Sequence, residues 1–338
     1  MVAPRSQPSR SILESRATSK GTYYFVPSET RNNLIVIIGE FSGTFMFLLL
    51  SFIGAQAAII TNNPSNTKAP LAPASILFIA VAFGVSLTVN VWIFFRVSGG
   101  MFNPAVTLGL VLVGAVPPLR GLLIFPAQLA AGIAASAIVF VLLPGDLSVG
   151  SALGSDTNVA QGLFIEMFLT AQLVLTVYFL AVEKHRATYI APIGIGASVV
   201  VAHLAGINFT GCSINPARTL GPAVFVGFPN YHWIYWIGPF LGALLAWIVY
   251  SLLKWLDYKT ANPGQDADDI EAGFRDIVPP MMSGSRGLWT SDGLVKSSNE
   301  HFTMKDHNSR PSTRDRIRRT LGTPTSPYLN VRFSWNKE

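Results

Sequence analysis

The segment SGGMFNPAVTLG (98–109) returns as TGCSINPARTLG (210–221), shifted by 112 positions, with Gly99, Asn103, Pro104, Ala105, Thr107, Leu108 and Gly109 repeated identically. In both copies Asn-Pro opens a short apolar run, 103–114 and 215–226. Asn is a good helix N-cap and Pro suits the first helical turn, so each run is expected to be a helix beginning at Asn103 or Asn215. Such helices cover only about 18 Å, little more than half of a bilayer's hydrocarbon core. In a membrane, a helix that short must be re-entrant, buried in protein or lining an aqueous cavity.

The surrounding chain is that of a membrane protein. Half of the 338 residues are hydrophobic and 12% are charged, against about 25% in an average soluble domain. Residues 33–255 hold seven of the 24 Lys/Arg and five of the 18 Asp/Glu. Six apolar runs, roughly 33–60, 73–95, 120–143, 161–183, 188–206 and 232–255, are long enough to span a bilayer. The single cysteine, Cys212, excludes an intrachain disulfide, and the five histidines form no metal-ligand spacing. No cofactor, metal or catalytic triad is expected, and hence no enzyme. The net charge of +6 sits mostly in the tails, which favours anionic lipid or solubility over a nucleic-acid partner.

The expected organisation is an N-terminal tail (1–32), a membrane body (33–256) and a disordered C-terminal tail (257–338). The body divides into repeat one, about 33–143, and repeat two, about 158–256. A looser echo joins residues 39–52 to 165–179 and sets Glu40 opposite Glu166. Three spans separate the two short helices, so they enter from opposite faces, and the halves form an inverted repeat. The fold class expected is all-α, with six transmembrane helices and two re-entrant half-helices. Lys/Arg counts place both termini on the cytoplasmic side.

That topology brings Asn103 and Asn215 together near the midplane, each at a helix end carrying about +0.5 of a charge. Two positive ends repel cations. Two Asn amides offer N–H donors, so a water held there accepts through its oxygen and a proton wire is interrupted. The expectation is a pore for small neutral molecules. Glu40 and Glu166 suit a second role, accepting hydrogen bonds from the non-helical backbone ahead of each half-helix. The competing reading is a proton relay in a coupled secondary transporter.

Two Asn-Pro-Ala boxes in this context resemble those of the aquaporins, the major intrinsic protein family, over about residues 33–256. FFRVSGG (94–100), AVPPLRG (115–121) and YHWIYWIGP (231–239) look most like the fungal members. The resemblance implies pore-lining motifs Asn103-Pro104-Ala105 and Asn215-Pro216-Ala217. It also implies a constriction of Phe83, His203, Cys212 and Arg218, and a homotetramer with one pore per subunit. Phe, His, Cys and Arg together look like the orthodox, water-selective subclass. Glycerol-conducting relatives usually carry a smaller residue than this His, Asp where Thr219 stands, and Pro-Leu where Tyr235-Trp236 stand. The implied function is passive water conduction in a membrane, most readily the plasma membrane. Hydrogen peroxide or glycerol are the alternative permeants, and a non-conducting scaffold is a third class.

Regulation has four candidate residues. Ser98 follows Arg96 in the connection to the first half-helix, and Arg318-Arg319-Thr320 is a basic-directed phosphorylation pattern for an unidentified kinase. Tyr23 and Tyr24 precede the first span, where an N-terminal tyrosine plugs the cytoplasmic mouth in some fungal relatives. Asn208-Phe-Thr210 matches the N-glycosylation pattern but is expected to be unused. Mercurial block is expected if the Cys212 thiol faces the pore.

Overall fold

A computed structural model describes residues 28–62 and 71–262. Tyr23, Tyr24, Thr320 and the charged stretches of the C-terminal tail lie outside the described residues. The helices are α1 (Ser28–Asn62), α2 (Pro73–Phe94), half-helix α3 (Pro104–Leu112), α4 (Pro118–Leu142), α5 (Val159–Val177), α6 (Ala191–Thr210), half-helix α7 (Pro216–Val226) and α8 (Ile234–Trp255). A π-helical turn, Tyr178–Val182, prolongs α5. Six of these helices are long and apolar enough to cross a membrane, and there is no strand among the described residues.

The helix ends differ from the apolar runs where polarity and helicity part company. α1 begins at Ser28 because the polar stretch SETRNN is helical, with Glu29 in the first turn complementing the helix dipole. α6 runs on to Thr210 and stops at Gly211, whose φ of 73° supplies the left-handed C-cap. The starts of the half-helices are local events. Asn103 and Asn215 are extended N-caps, at φ −154° and −155°, and Pro104 and Pro216 occupy the first turn.

Within each repeat, α1 packs on α2 and α4, and α5 packs on α6 and α8. The repeats are joined by α2 against α6, by α3 against α8 and by α7 against α4. Each half-helix therefore leans on the last span of the opposite repeat. Large apolar side chains such as Phe78, Leu122 and Val141 face outward, as a lipid-embedded body requires.

The α2–α6 crossing depends on two glycines. A Cβ at Gly84 would stand 2.6 Å from the Gly196 carbonyl oxygen, and one at Gly196 would stand 2.5 Å from the Gly84 carbonyl oxygen. The pair shares the 112-residue offset of the repeated motif. Small residues permit such close backbone approach in membranes. Gly84→Ala is expected to cost about 1–3 kcal/mol through overpacking, read as a lower melting temperature of the purified protein. An unshifted melt would show that the two helices separate freely.

Candidate functional site: pore centre and constriction

The two caps define the centre. Asn103 Oδ1 accepts from Ala105 N at 2.8 Å, and Asn215 Oδ1 accepts from Ala217 N at 2.9 Å and Arg218 N at 3.3 Å. These bonds fix which amide atom is oxygen. Each amide nitrogen then reaches into the opposite repeat. Asn103 Nδ2 donates to Ile214 O at 2.7 Å, and Asn215 Nδ2 donates to Phe102 O at 2.9 Å. A side-chain amide has two N–H groups. The second of each is left for the cavity that both residues line.

Phe102 and Ile214, one residue ahead of each Asn, were not singled out by sequence reasoning. Their φ angles are 51° and 47°, the left-handed region that costs a bulky or β-branched residue about 1–3 kcal/mol. In that conformation the N–H points toward the buried acid of its own repeat and the carbonyl toward the opposite Asn. Glu40 receives Met101 N at 3.1 Å, Phe102 N at 2.8 Å and Gln128 Nε2 at 2.9 Å. Glu166 receives Ser213 N at 2.8 Å, Ile214 N at 2.6 Å and Thr210 Oγ1 at 2.6 Å. Thr210 is fully buried, so the glycosylation pattern that includes it has its hydroxyl occupied. The sequence signal for Phe102 and Ile214 was their matching place in both copies.

Beyond the centre, Phe83, His203 and Arg218 converge. The Phe83 and His203 rings stack with centroids 4.2 Å apart, and the Arg218 guanidinium carbon lies 5.3 Å from the Phe83 ring centre. Arg218 Nη1 donates to Val149 O at 3.0 Å and Ser151 Oγ at 2.6 Å, and Nη2 donates to Gly211 O at 3.2 Å. Behind it runs a directed hydroxyl chain. Ser151 bonds Thr219 at 2.7 Å, Thr219 donates to Ser213 at 2.5 Å, and Ser213 donates to Asn215 O at 3.2 Å. Ser151 was another residue that the sequence did not announce. Thr219, read there only as a subclass marker, is a link in this chain. Tyr235 donates to Thr210 O at 2.9 Å.

His203 Nδ1 lies 2.9 Å from Val199 O. A carbonyl only accepts, so Nδ1 carries the proton and Nε2 of the neutral ring presents a lone pair. His203 Nε2 and Arg218 Nε are both buried without a hydrogen-bond partner. One acceptor and one donor are thus buried and unpaired near the Phe83 ring.

Cys212 is placed differently. It is fully buried, has φ 48° and does not line the cavity. A Cβ at Gly206 would meet its Sγ at 3.5 Å, so the thiol sits against α6. The exposed thiol on which mercurial block depends is therefore not found. Ser98 lines the cavity, and its Oγ accepts from Gly100 N at 3.3 Å.

Phe83, Ser98, Asn103, His203, Asn215 and Arg218 share a cavity of about 510 Å³ that Phe95 and Lys184 also line. Among the described residues, its charged lining residues are Arg120, Lys184 and Arg218, and no carboxylate of theirs lines it.

Comparison with known proteins agrees with this arrangement. The family described as MIP, Major intrinsic protein, matches residues 28–250. Aquaporin-1 of Gibberella zeae is 65% identical over 241 residues, covering 71% of this chain and 76% of the relative. Aquaporin-7 of Botryotinia fuckeliana is 46% identical over 320 residues, covering 91% and 70%. Among solved structures, the aquaglyceroporin from Plasmodium falciparum shares the fold, with TM-score 0.55, 20% identity and coverage of 65% of this chain and 95% of that one. Inverted half-helices, paired Asn caps and these relatives lead to one assignment: the chain belongs to the major intrinsic protein family, the aquaporin channels.

Proposed function

We propose that this channel conducts water passively and rejects protons, ions and glycerol. Its family consists of channels for small neutral solutes, not enzymes. The observation that carries the finer reading is the convergence of Phe83, His203 and Arg218 on one cavity, with the His203 Nε2 acceptor and the Arg218 Nε donor buried and unpaired there. In this reading a water passing between them accepts from Arg218 and donates to His203. At the centre, the free N–H groups of Asn103 and Asn215 hold a water by its oxygen, so both its hydrogens point away and no proton chain crosses. The helix ends of α3 and α7 add positive potential there. Pro104, Ala105, Pro216 and Ala217 set these two ends in place, and Glu40 and Glu166 hold the backbone that leads into them. Cys212 contributes to the constriction through its backbone turn.

The body assembles as a homotetramer in the plasma membrane, with residues 1–32 and 257–338 as cytoplasmic tails. Ser98 and Thr320 are the modification candidates in this reading, and Tyr23 and Tyr24 the candidate plug.

Stopped-flow light scattering of liposomes holding the purified chain tests conduction. Rapid shrinkage in sucrose with no glycerol entry is the expected result, and glycerol entry comparable with water would reject the water-selective reading. In the same assay His203→Ala is expected to raise glycerol permeability by about tenfold, equivalent to ~1.4 kcal/mol off the barrier. Unchanged glycerol flux would remove His203 from the constriction. A hydrogen peroxide arm distinguishes the second permeant of similar size.

A further inference from the structure

The hydroxyls of Ser151, Thr219 and Ser213 carry one hydrogen each, and the last bond of their chain fixes where all of them point. Asn215 O only accepts, so Ser213 Oγ donates to it at 3.2 Å. Ser213 Oγ then serves as acceptor for Thr219 Oγ1 at 2.5 Å. With its hydrogen spent there, Thr219 meets Ser151 at 2.7 Å as the acceptor, and Ser151 is the donor. Ser151 Oγ is left with lone pairs for its other neighbour, Arg218 Nη1, which donates to it at 2.6 Å. The N-cap residue of α7 thus dictates, through these side chains, that Ser151 faces the guanidinium as an acceptor. Such chains also strengthen bond by bond, because each donor polarises the next.

Ser151, Thr219 and Ser213 are all buried. Ser151 lies in the loop between α4 and α5, and Thr219 in the first turn of α7. Arg218 and Ser213 line the cavity, whereas Ser151 and Thr219 do not. Ser151 and Thr219 therefore act on the pore through Arg218. Its guanidinium is a planar fork. Nη1 is held by Val149 O and Ser151 Oγ, and Nη2 by Gly211 O. These bonds set the plane, and the plane sets the direction of the unpaired Nε–H. Without the Ser151 bond each Nη keeps a single carbonyl, at 3.0 and 3.2 Å, and the fork is free to tilt between them.

We propose that Thr219 and Ser151 are positioning residues that hold the Arg218 fork at one angle and so set how tightly the constriction excludes glycerol. The exclusion part rests on the proposed water-selective reading, whereas the holding of the fork does not. In the liposome assay Thr219→Val and Ser151→Ala should each raise the glycerol-to-water permeability ratio about threefold, as for the loss of one neutral hydrogen bond. Thr219→Ser keeps the hydroxyl and should return the parent ratio. The double variant S151A/T219V should match the single ones, since members of one hydrogen-bond network do not act additively. Ser136→Ala removes a buried hydroxyl of α4 that bonds Gly132 O of its own helix at 2.9 Å, and should keep the parent ratio.

The fork is read apart from flux by solid-state NMR of the chain carrying isotope-labelled arginine, with the Arg218 signals identified by their loss in Arg218→Lys. Separate Nη1 and Nη2 signals are expected in the parent and merged signals in Thr219→Val. Should Thr219→Val not fold, Ser151→Ala carries both readouts. Unchanged ratios in Thr219→Val and Ser151→Ala would overturn the proposal. So would a double variant whose rise is the product of the single ones, or an equal rise in Ser136→Ala. A parent that passes glycerol as fast as water would reject the water-selective reading. The spectra then decide the holding of the fork alone, and separate signals in every variant would overturn it.

Discussion

Vesicles carrying Arg218→Leu are expected to admit protons and small cations that the parent excludes, while still shrinking in sucrose. Among the described residues, the guanidinium is the single permanent charge at the proposed constriction, buried near the Phe83 and Phe52 rings. A unit charge about 4 Å from a passing cation at an effective dielectric of 20 opposes it by ~4 kcal/mol, a factor of about 10³ in rate. Arg218→Leu also abandons three acceptors, Val149 O, Ser151 Oγ and Gly211 O, so loop 149–151 should loosen. Arg218→Lys separates the two effects, since it keeps the charge but not the fork of donors. It should restore cation rejection without restoring the melting temperature. Proton entry is followed with an entrapped pH dye at clamped potential. An Arg218→Leu channel as proton-tight as the parent would move the barrier entirely to the Asn103–Asn215 centre.

Glu166→Leu is expected to yield no well-folded channel. It leaves Ser213 N and Ile214 N without an acceptor in a buried place, and Thr210 Oγ1 with Gly206 O at 3.3 Å alone. Each orphaned donor costs about 1–3 kcal/mol, so the pair reaches the lower end of the ~5–15 kcal/mol that holds a typical domain. Ile214 would then have no reason to bear its left-handed backbone. Glu40→Leu should fail in the same way through Met101, Phe102 and Gln128. Size-exclusion profiles of fluorescent fusions read this directly. Glu166→Gln is the informative companion. It keeps one acceptor oxygen but turns an NH₂ toward N–H donors, so it should fold poorly. A well-folded Glu166→Gln that lost only a pH-driven transport would instead favour the proton-relay reading.

The elements legible in the sequence are those set by local chemistry. Apolar runs gave the six spans, and Asn-Pro gave the half-helix starts, because a cap bonds two or three residues ahead. The parity of spans gave the inverted topology. What stayed hidden was set by partners far along the chain. Ser151 meets Arg218 across 67 residues, Asn103 meets Ile214 across 111, and Tyr178 donates to Gly109 O across 69. No local pattern marks Phe102 or Ile214 as left-handed, since their residue types argue against it. The resemblance placed Cys212 at the constriction, but a family position does not say which way a side chain turns once its backbone has positive φ. The start of α1 was missed because hydropathy measures burial in lipid, whereas SETRNN is helical beyond the apolar run.

The exchange of amide bonds between the two repeats also imposes an order on biogenesis. Ile214, the acceptor for Asn103, is translated 111 residues later. At 5–20 residues per second that is a delay of about 6–22 s. Until the second repeat arrives, the Asn103 amide and the Phe102 carbonyl of the first repeat lack the partners they have in the folded chain. Neither group can be left to lipid, where an unmet polar group costs several kcal/mol. The first half-helix must therefore wait in a wet or chaperoned place, and the pore is completed only when the second half arrives to close it.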